Sequence, residues 1–245
     1  MSDRLRQSEN RTLQNMLLGD YVPELIREAR ERQDEIMIER FRGRRLRIAD
    51  IGSGEGYHGS IFAPECELYH GFEIAPELAA MTRERWQTEG LSNARVFEGD
   101  VAAAELEDDF YDLVVCMYFT PGNFRDVSED LSLYTDQYLD HNPVFIDIMS
   151  RYYRALRPGG DMFLTVYRDL PEAEAAQIDF YTTTGHPPVS AKGARYVATG
   201  DMFWSVRWTE QSMLSNLHDC RIGKNAVTFH ELNEIAWLVE INKPA

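Results

Sequence analysis

A short apolar run that breaks into alternating glycines constrains this chain more than any other feature. Residues 46–51 are mainly apolar and carry Asp50 near their end, and glycines then occupy positions 52, 54 and 56. Glycine permits tight turns and lets the backbone approach a ligand more closely than a residue with a Cβ atom does. The stretch therefore predicts a β-strand that runs into a ligand-binding loop.

Chain length and charge limit the remaining possibilities. The 245 residues are enough for one large α/β domain, and we expect a single domain over residues 1–245. The 25 Lys and Arg residues against 41 Asp and Glu residues give a net charge of -16, which repels nucleic acid and anionic membrane surfaces. We therefore expect neither of them as a partner.

Cysteine usage and hydrophobicity favour a cytoplasmic protein. Cys66, Cys116 and Cys220 are far apart and form no C-x-x-C pair, so neither a disulfide framework nor a metal site is predicted. No apolar run approaches the roughly 18 residues of a membrane helix, and the polar start lacks the apolar core of a signal peptide. We expect a cytoplasmic location and leave the oligomeric state, monomer or homodimer, open.

Hydrophobic periodicity predicts an alternation of strands and helices. Residues 10–41 carry apolar positions at helical spacing with a polar break at 20–23, which predicts two helices and makes residues 1–45 a helical lead-in. Strands are predicted over 46–51, 68–73, 94–98, 111–117 and 161–167, helices near 57–63, 76–89 and 143–156, and a C-terminal antiparallel hairpin around 227–229 and 236–241. This order is typical of an α/β fold with a doubly wound, mostly parallel, seven-stranded sheet and helices on both faces.

Two segments are longer than the connections of such folds usually are. Residues 119–142 follow the predicted fourth strand, and residues 168–207 follow the fifth. Both leave the carboxyl ends of parallel strands, which is the edge where open α/β sheets bind their ligands. We expect these two insertions to cover a substrate, next to a cofactor-binding core over residues 46–167.

The spacing of glycines and acids discriminates among ligands for the loop. A nicotinamide-binding G-x-G-x-x-G pattern would need a small residue where Tyr57 stands, and a phosphate-binding loop would need a lysine, which follows neither Gly56 nor Gly59. Acids instead lie in or after the first three strands, at Asp50, Glu73 and Asp100. Carboxylates pair with a cationic centre and accept hydrogen bonds from a ribose diol, so they suit S-adenosylmethionine, which carries no phosphate.

Five motifs follow one another along the predicted core. They are D-I-G-S-G-E-G at 50–56, G-F-E-I at 71–74, E-G-D-V at 98–101, F-Y-D-L-V-V at 110–115 and L-R-P-G-G at 156–160. As a set, they resemble the ordered motifs of the class I S-adenosylmethionine-dependent methyltransferases, and the resemblance covers residues 46–167. It implies a Rossmann-like fold, transfer of a methyl group from S-adenosylmethionine, and S-adenosylhomocysteine as the product.

The resemblance also implies which residues contact the cofactor. They are, in chain order, Asp50, Gly52, Ser53, Gly54, Gly56, Glu73, Ile74, Asp100, Val101, Cys116 and Met117. The glycines would pass under the methionine part, with Asp50 holding the loop and the ammonium group. Glu73 would accept hydrogen bonds from the ribose hydroxyls, and Asp100 would face the adenine amino group. Cys116 and Met117 would line the floor near the sulfonium.

The acceptor side is predicted from polar and aromatic residues, most of them in the two insertions. Methyl transfer is a direct displacement that needs alignment and, for some nucleophiles, a base, so no fixed triad is expected. The catalytic candidates are His186 as the base, Tyr118 and Asn123, with His58 as a weaker base. Candidates for binding the acceptor are Tyr21, Tyr134, Tyr138, Arg195, Tyr196 and Trp204. Asn123 fits a plain turn equally well, Arg195 also fits a surface ion pair, and each aromatic side chain also fits packing.

The segment after the fourth strand bears on the type of acceptor. It lacks the N-P-P-Y or D-P-P-Y tetrad of enzymes that methylate amide or exocyclic amino nitrogens of proteins and nucleic acids, and residues 119–122 read F-T-P-G instead. This difference, the acidic composition and the two insertions favour a small-molecule acceptor that is methylated on nitrogen or oxygen. The alternatives are a protein or tRNA acceptor, a non-catalytic methyltransferase-like binding protein, and aminopropyl transfer on the same fold.

Overall fold

A mostly parallel β-sheet forms the centre of the molecule in a computed structural model that describes residues 21–126, 134–200 and 203–245. The strands are β1 (Arg47–Ile51), β2 (Leu68–Glu73), β3 (Ala94–Glu98), β4 (Tyr111–Cys116), β5 (Leu156–Arg168), β6 (Tyr196–Ala198), β7 (Trp204–Trp208), β8 (Val227–Asn233) and β9 (Ala236–Asn242). The α-helices are α1 (Glu24–Phe41), α2 (Tyr57–Phe62), α3 (Pro76–Thr88), α4 (Asp136–Leu139), α5 (Pro143–Ala155), α6 (Pro171–Thr183) and α7 (Glu210–Asp219). The first of the two predicted N-terminal helices lies outside the described residues, and the second is α1.

Seven of these strands form the predicted sheet. Strands β3, β2, β1, β4 and β5 are parallel neighbours in that order, β9 is antiparallel to β5, and β8 pairs with β9. The predicted α/β fold, its mostly parallel sheet and its C-terminal hairpin are therefore confirmed.

The second insertion adds a branch to this sheet. Strand β7 runs parallel to β5 but pairs with it only at Tyr167 and Arg168, and β6 is antiparallel to β7. The helix α6 and these two strands account for half of residues 168–207, for which the sequence predicted only a cover over a substrate. All five residues of β7 are buried, so its sequence does not show the alternation of a half-exposed strand.

Helices cover both faces of the sheet because successive strand residues point to opposite sides. Leu113 and Val115 of β4 pack in the cluster that contains residues of α1, α2, α3 and α6, whereas Val114 and Cys116 pack in the cluster that contains residues of α5 and α7. The sheet is therefore doubly wound, as predicted, and its carboxyl edge remains open for a site.

Strand β5 begins five residues earlier than predicted. Residues 157–160 read as a breaker between a helix and a strand, yet Leu156 already pairs with Tyr111 and Asp161 pairs with Leu113. The residues between them bulge out opposite Asp112, whose carboxylate lies 2.7 Å from Nε of Arg157. Gly159 adopts φ +74° within this bulge, which a residue with a side chain rarely does.

No helix among residues 21–126, 134–200 and 203–245 combines the length and the hydropathy needed to cross a bilayer.

Candidate active site

A cavity of about 510 Å³ opens at the carboxyl edge of the sheet. One part of its wall comes from the loops after β1, β2 and β3, and the other part comes from α1, α6, the end of β4 and the second insertion. Cavities of roughly 300–1,000 Å³ are usual for small-molecule sites. We call these two parts the cofactor half and the acceptor half, and describe each in turn.

The glycine loop after β1 forms the floor of the cofactor half. Gly52, Gly54 and Gly56 all have positive φ angles, at 74°, 57° and 83°. A Cβ atom on Gly52 would lie 2.6 Å from Cγ2 of Thr120, which is an overlap. The backbone conformation and this close approach both require glycine at position 52. Gly52, Ser53 and Gly54 line the cavity, whereas Gly56 does not.

Trp86 of α3 supports the glycine loop from behind. Its indole N–H donates a 2.8 Å hydrogen bond to the carbonyl oxygen of Gly56. Cβ atoms on Gly56, Gly59 or Gly71 would all come within 3.0 Å of this indole ring. The loop and the indole are therefore packed too closely for side chains at these three glycines.

Glu73, the last residue of β2, is a buried carboxylate in the wall of the cofactor half. Its two oxygens accept hydrogen bonds from the backbone N–H groups of Gly54 (2.7 Å) and Ala75 (2.9 Å). Burial, at 3 % exposure, raises its pKa to about 7, although the two N–H groups act in the opposite direction. Each oxygen keeps a further lone pair, so Glu73 can accept hydrogen bonds from a ligand diol.

Ser53 and Asp100 provide further polar groups beside Glu73. Oγ of Ser53 is buried and has no hydrogen-bond partner among the described residues. Asp100 accepts a 2.9 Å hydrogen bond from the N–H of Ala102 and thereby caps the short 3-10 helix Val101–Ala103. Ile74 and Val101 line the cavity next to these groups. A ligand with a ribose diol, an amino group and a flat ring fits these hydrogen-bond acceptors and apolar side chains, so the residues present suit S-adenosylmethionine.

Asp50 lies under the loop and does not line the cavity. It is 1 % exposed, and one of its oxygens accepts a 2.7 Å hydrogen bond from the hydroxyl of Tyr69. Burial raises the pKa of its carboxyl group. This hydrogen bond is to β2 and not to the glycine loop, so support of the loop and contact with an ammonium group both remain predictions. Cys116 also lies outside the cavity wall, whereas Met117 belongs to it.

Two residues with unusual backbone angles begin the acceptor half. Tyr118 and Phe119, directly after β4, have φ angles of 53° and 69°. Left-handed conformations of this kind cost non-glycine residues about 1–3 kcal/mol and occur often at functional sites. They place both side chains in the cavity wall, where Phe119 stacks on Tyr167 with ring centroids 3.7 Å apart.

A polar network on α1 holds Tyr118 in place. The Tyr118 hydroxyl donates a 2.6 Å hydrogen bond to Asp34, whose other oxygen lies 3.1 Å from Nε2 of His58. Gln33 accepts a hydrogen bond from the N–H of Tyr118 (3.2 Å) and another from the hydroxyl of Thr165. Burial, and then the charge of Asp34, raises the pKa of Tyr118, so its hydroxyl stays protonated.

Gln33, Asp34 and Arg30 were not predicted as site residues, although the sequence of α1 carries a detectable signal. Gln33 is fully buried on the same helix face as Ile26, Ala29, Met37 and Phe41. A polar residue in the apolar series of an amphipathic helix needs hydrogen-bond partners in the interior. This position could therefore have been identified as part of a site or of a buried network.

Several predicted acceptor residues do not line the cavity. The backbone N–H of His186 donates to the carbonyl of Tyr181 (2.7 Å), and the His186 side chain is not part of the cavity wall. The hydroxyl of Tyr21 donates to Asp179, and NH1 of Arg195 lies 2.7 Å from a carboxylate oxygen of Asp140. The other four residues form an aromatic cluster outside the wall: Tyr134, Tyr138, Tyr196 and Trp204.

Asn123 lines the cavity and also connects the two insertions. Its side-chain amide donates a 2.7 Å hydrogen bond to the carbonyl of Trp204, and the indole N–H of Trp204 donates to the carbonyl of Asn123 at 3.2 Å. Asn123 ends the 3-10 helix Thr120–Asn123. Asn123 therefore forms part of a turn and also lies in the cavity wall.

Comparisons with known proteins agree with this geometry. A sequence family described as methyltransferase domain matches residues 48–160. The uncharacterized methyltransferase YcgJ of Bacillus subtilis (strain 168) is 24 % identical over 124 residues, which are 46 % of this chain and 49 % of that protein. The protein-L-isoaspartate O-methyltransferase of Myxococcus xanthus (strain DK1622) is 27 % identical over 150 residues, which are 58 % of this chain and 63 % of that enzyme.

A solved structure gives the same result for the fold. The S-adenosylmethionine-dependent methyltransferase of Methanosarcina mazei superimposes with a TM-score of 0.57 at 16 % identity, and the match covers 85 % of this chain and 97 % of that chain. The chain spans only about half to two thirds of the length of the two curated relatives. The matched residues nevertheless contain the glycine loop, Glu73 and Asp100 together. Residues 48–160, just under half of the chain, thus match a methyltransferase domain, and the fold is one that S-adenosylmethionine-dependent methyltransferases share.

Proposed function

We propose that this protein transfers the methyl group of S-adenosylmethionine to a small-molecule acceptor by direct displacement at nitrogen or oxygen. The supporting observation is one continuous cavity, lined by Glu73 and Asp100 in its cofactor half and by aromatic side chains in its acceptor half. The insertions at 119–142 and 168–207 supply part of the acceptor half, including Phe180 and Tyr181 of α6. Walls of this composition suit a small organic molecule.

The residues of the cofactor half would bind S-adenosylmethionine, and those of the acceptor half would bind the methyl acceptor. S-adenosylmethionine supplies the activated methyl group when it is bound. Glu73, Ser53 and Asp100 would hold it through hydrogen bonds, and the aromatic wall would exclude water and orient the acceptor. The Tyr118 hydroxyl donates to Asp34, so its lone pairs can accept a hydrogen bond from an N–H or O–H group of the acceptor.

We propose His58 as the base in place of His186. His58 lines the cavity, its ring lies 4.6 Å from that of Tyr118 between centroids, and Asp34 holds its Nε2. A carboxylate that holds one ring nitrogen orients the imidazole, so that its other nitrogen can accept a proton. A proton from the acceptor would therefore move to His58.

The test is calorimetric binding of S-adenosylhomocysteine, followed by an assay of S-adenosylhomocysteine release from S-adenosylmethionine with panels of small amines and phenols. We expect binding by the wild-type protein and release with a subset of these small molecules. Binding without release by any small amine or phenol contradicts the proposed function. The absence of binding contradicts the proposed cofactor.

Tyr118→Phe should lower kcat/KM for the acceptor at least about tenfold, because a hydrogen bond to the reacting group is lost. The affinity for S-adenosylhomocysteine should not change, since Tyr118 belongs to the acceptor half. Steady-state kinetics and calorimetry measure the two effects. Tyr153→Phe, on α5 and outside the cavity wall, is the matched control and should behave as the wild type does. An unchanged kcat/KM in Tyr118→Phe contradicts the role given to the hydroxyl.

A protein acceptor is the second candidate, because the Myxococcus xanthus relative is a protein-L-isoaspartate O-methyltransferase. A peptide that contains one isoaspartyl residue, compared with the same peptide containing aspartyl, discriminates the two proposals. Release of S-adenosylhomocysteine with the isoaspartyl peptide alone favours the second candidate.

We also propose a cytoplasmic location. Cys66, Cys116 and Cys220 are all buried and unpaired, which is the usual state of cysteines in a reducing compartment.

A further inference from the structure

Arg30 differs from the neighbouring arginines of α1. Arg27 pairs with Glu31 at 3.1 Å and Arg32 pairs with Glu35 at 2.9 Å, and all four of these side chains are exposed. Arg30 lines the cavity, its Nε is buried without a hydrogen-bond partner, and no carboxylate of the described residues lies within ion-pair distance of it. The chain has 41 acidic residues against 25 basic ones, so a lone cation is unusual in this protein.

The surroundings of Arg30 only partly compensate for the missing carboxylate partner of its guanidinium group. The guanidinium carbon lies 4.8 Å from the ring centre of Tyr118 and 5.9 Å from that of Phe180. Cation–π contacts of this kind stabilise a guanidinium group, but they leave its N–H donors unsatisfied. A cation beside apolar rings gains most from an anion that also accepts these hydrogen bonds.

Arg30 belongs to the acceptor half of the cavity. Its ring contacts are with Tyr118, in the turn that follows β4, and with Phe180 of α6. Burial raises the pKa of Tyr167 and Tyr181, and the charge of Arg30 moderates both increases. The pKa of Glu73, by contrast, depends on burial, on backbone N–H groups and on Asp50. The positive charge therefore acts on the aromatic wall and not on the ribose-binding carboxylate.

We propose that Arg30 binds a carboxylate of the methyl acceptor, and that the acceptor is a small organic acid with a flat apolar body. A guanidinium group binds a carboxylate through two parallel hydrogen bonds, and the rings of Tyr118 and Phe180 provide apolar surface beside it. This assignment rests on the proposed function, because it names the class of substrate for the same site.

The methionine carboxylate of the cofactor is the other anion that could reach this cavity. The two sources predict different effects of the same substitution. If the acceptor supplies the carboxylate, loss of Arg30 leaves the affinity for S-adenosylhomocysteine unchanged. If the cofactor supplies it, the same loss weakens S-adenosylhomocysteine binding.

Benzoate and benzamide are suitable probes, since they share size and ring and differ in charge. Their dissociation constants are measured by ligand-observed NMR titration, with and without saturating S-adenosylhomocysteine, on the wild type, Arg30→Gln, Arg30→Lys and Arg27→Gln. We expect benzoate to bind the wild type at least about tenfold more tightly than benzamide. Arg30→Gln should abolish this preference, Arg30→Lys should retain part of it, and Arg27→Gln, an exposed change of equal charge on the same helix, should retain all of it.

Three results overturn the proposal: equal binding of benzoate and benzamide by the wild type, an unchanged preference in Arg30→Gln, or weaker S-adenosylhomocysteine binding in Arg30→Gln at an unchanged thermal midpoint. A wild-type protein that binds no S-adenosylhomocysteine contradicts the proposed function instead. In that case, the benzoate and benzamide titrations without S-adenosylhomocysteine still test whether Arg30 binds a carboxylate.

Discussion

Glu73→Gln is expected to weaken S-adenosylhomocysteine binding at least about tenfold and, at pH 8, to make the ligand-free protein more stable. The carboxylate of Glu73 faces the cavity and can accept two ribose hydroxyl protons, whereas a glutamine offers one acceptor oxygen. A ligand diol that loses an acceptor in a buried site loses on the order of 1–3 kcal/mol. Calorimetry with S-adenosylhomocysteine measures this loss.

The stability effect follows from the pKa of Glu73. Burial raises it from 4.5 to about 7 in the folded protein. The folded state therefore binds more protons than the unfolded state between these two values, so the contribution of Glu73 to the free energy of unfolding decreases as the pH rises through this range. At 1.36 kcal/mol per unit, the full destabilisation above pH 7 is about 3 kcal/mol.

Glutamine cannot ionise and avoids this penalty, but it gives up one backbone hydrogen bond worth about 1 kcal/mol. The free energy of unfolding of Glu73→Gln at pH 8 should thus exceed that of the wild type by about 2 kcal/mol. The gain should disappear at pH values well below 4.5, where the wild-type carboxyl group is protonated in both states. Urea unfolding at several pH values measures both differences.

Glu98→Gln is the matched control. Glu98 lies directly opposite Glu73 in the β2–β3 register, but it is exposed and pairs with Arg83. It should change neither the affinity nor, by more than about 0.5 kcal/mol, the stability. A Glu73→Gln protein that binds S-adenosylhomocysteine as the wild type does would mean that the ribose is held elsewhere.

Trp86→Ala is expected to have the largest effect on stability. The indole is 2 % exposed and fills the space between α3 and three glycines. Loss of a buried tryptophan side chain costs about 3–5 kcal/mol, and here the carbonyl of Gly56 also loses its N–H donor. The free energy of unfolding, measured with urea, should decrease by this amount.

The same substitution should weaken S-adenosylhomocysteine binding, because the glycine loop loses the surface that supports it. The affinity is measured well below the unfolding transition. Trp237→Ala is the control, since Trp237 is half-buried on β9, where it packs on Phe229. Trp237→Ala should lower the free energy of unfolding by less than Trp86→Ala does, and it should leave the affinity for S-adenosylhomocysteine unchanged. A folded Trp86→Ala protein with wild-type affinity contradicts the supporting role of the indole.

The cofactor half was predictable because its signals are local. Backbone requirements fix glycine at position 52, and Glu73 ends a strand whose neighbours are set by parallel pairing. The places of the five strands along the chain follow from mainly apolar runs of five to seven residues, with predicted helices in every interval except the one between β3 and β4. These features depend on residues close together in the sequence, so the predicted strands β1 to β4 agree with the observed ones to within one residue at each end.

The acceptor half was less predictable because it depends on contacts between distant segments. Tyr118 reaches Asp34, 84 residues earlier, and Phe119 stacks on Tyr167. Nothing near His186 indicates that its side chain lies away from the cavity, since that depends on how α6 and β6 pack. Trp204, Tyr134, Tyr138 and Tyr196 were predicted singly as acceptor-binding residues, whereas in the structure they pack against one another beside the cavity.

The reciprocal hydrogen bonds between Asn123 and Trp204 have a consequence for engineering and for evolution. They join the turn after β4 to β7, and a Cβ atom on Gly122 would lie 2.9 Å from Oγ of Ser205 and 3.0 Å from the carbonyl of Val206. The turn after β4 and strand β7 therefore pack as one unit, although Asn123 and Trp204 are 81 positions apart in the chain. A graft that exchanges acceptor specificity with a homologue therefore has to transfer both segments together. A segment transferred alone would pack against a native segment whose side chains do not fit it.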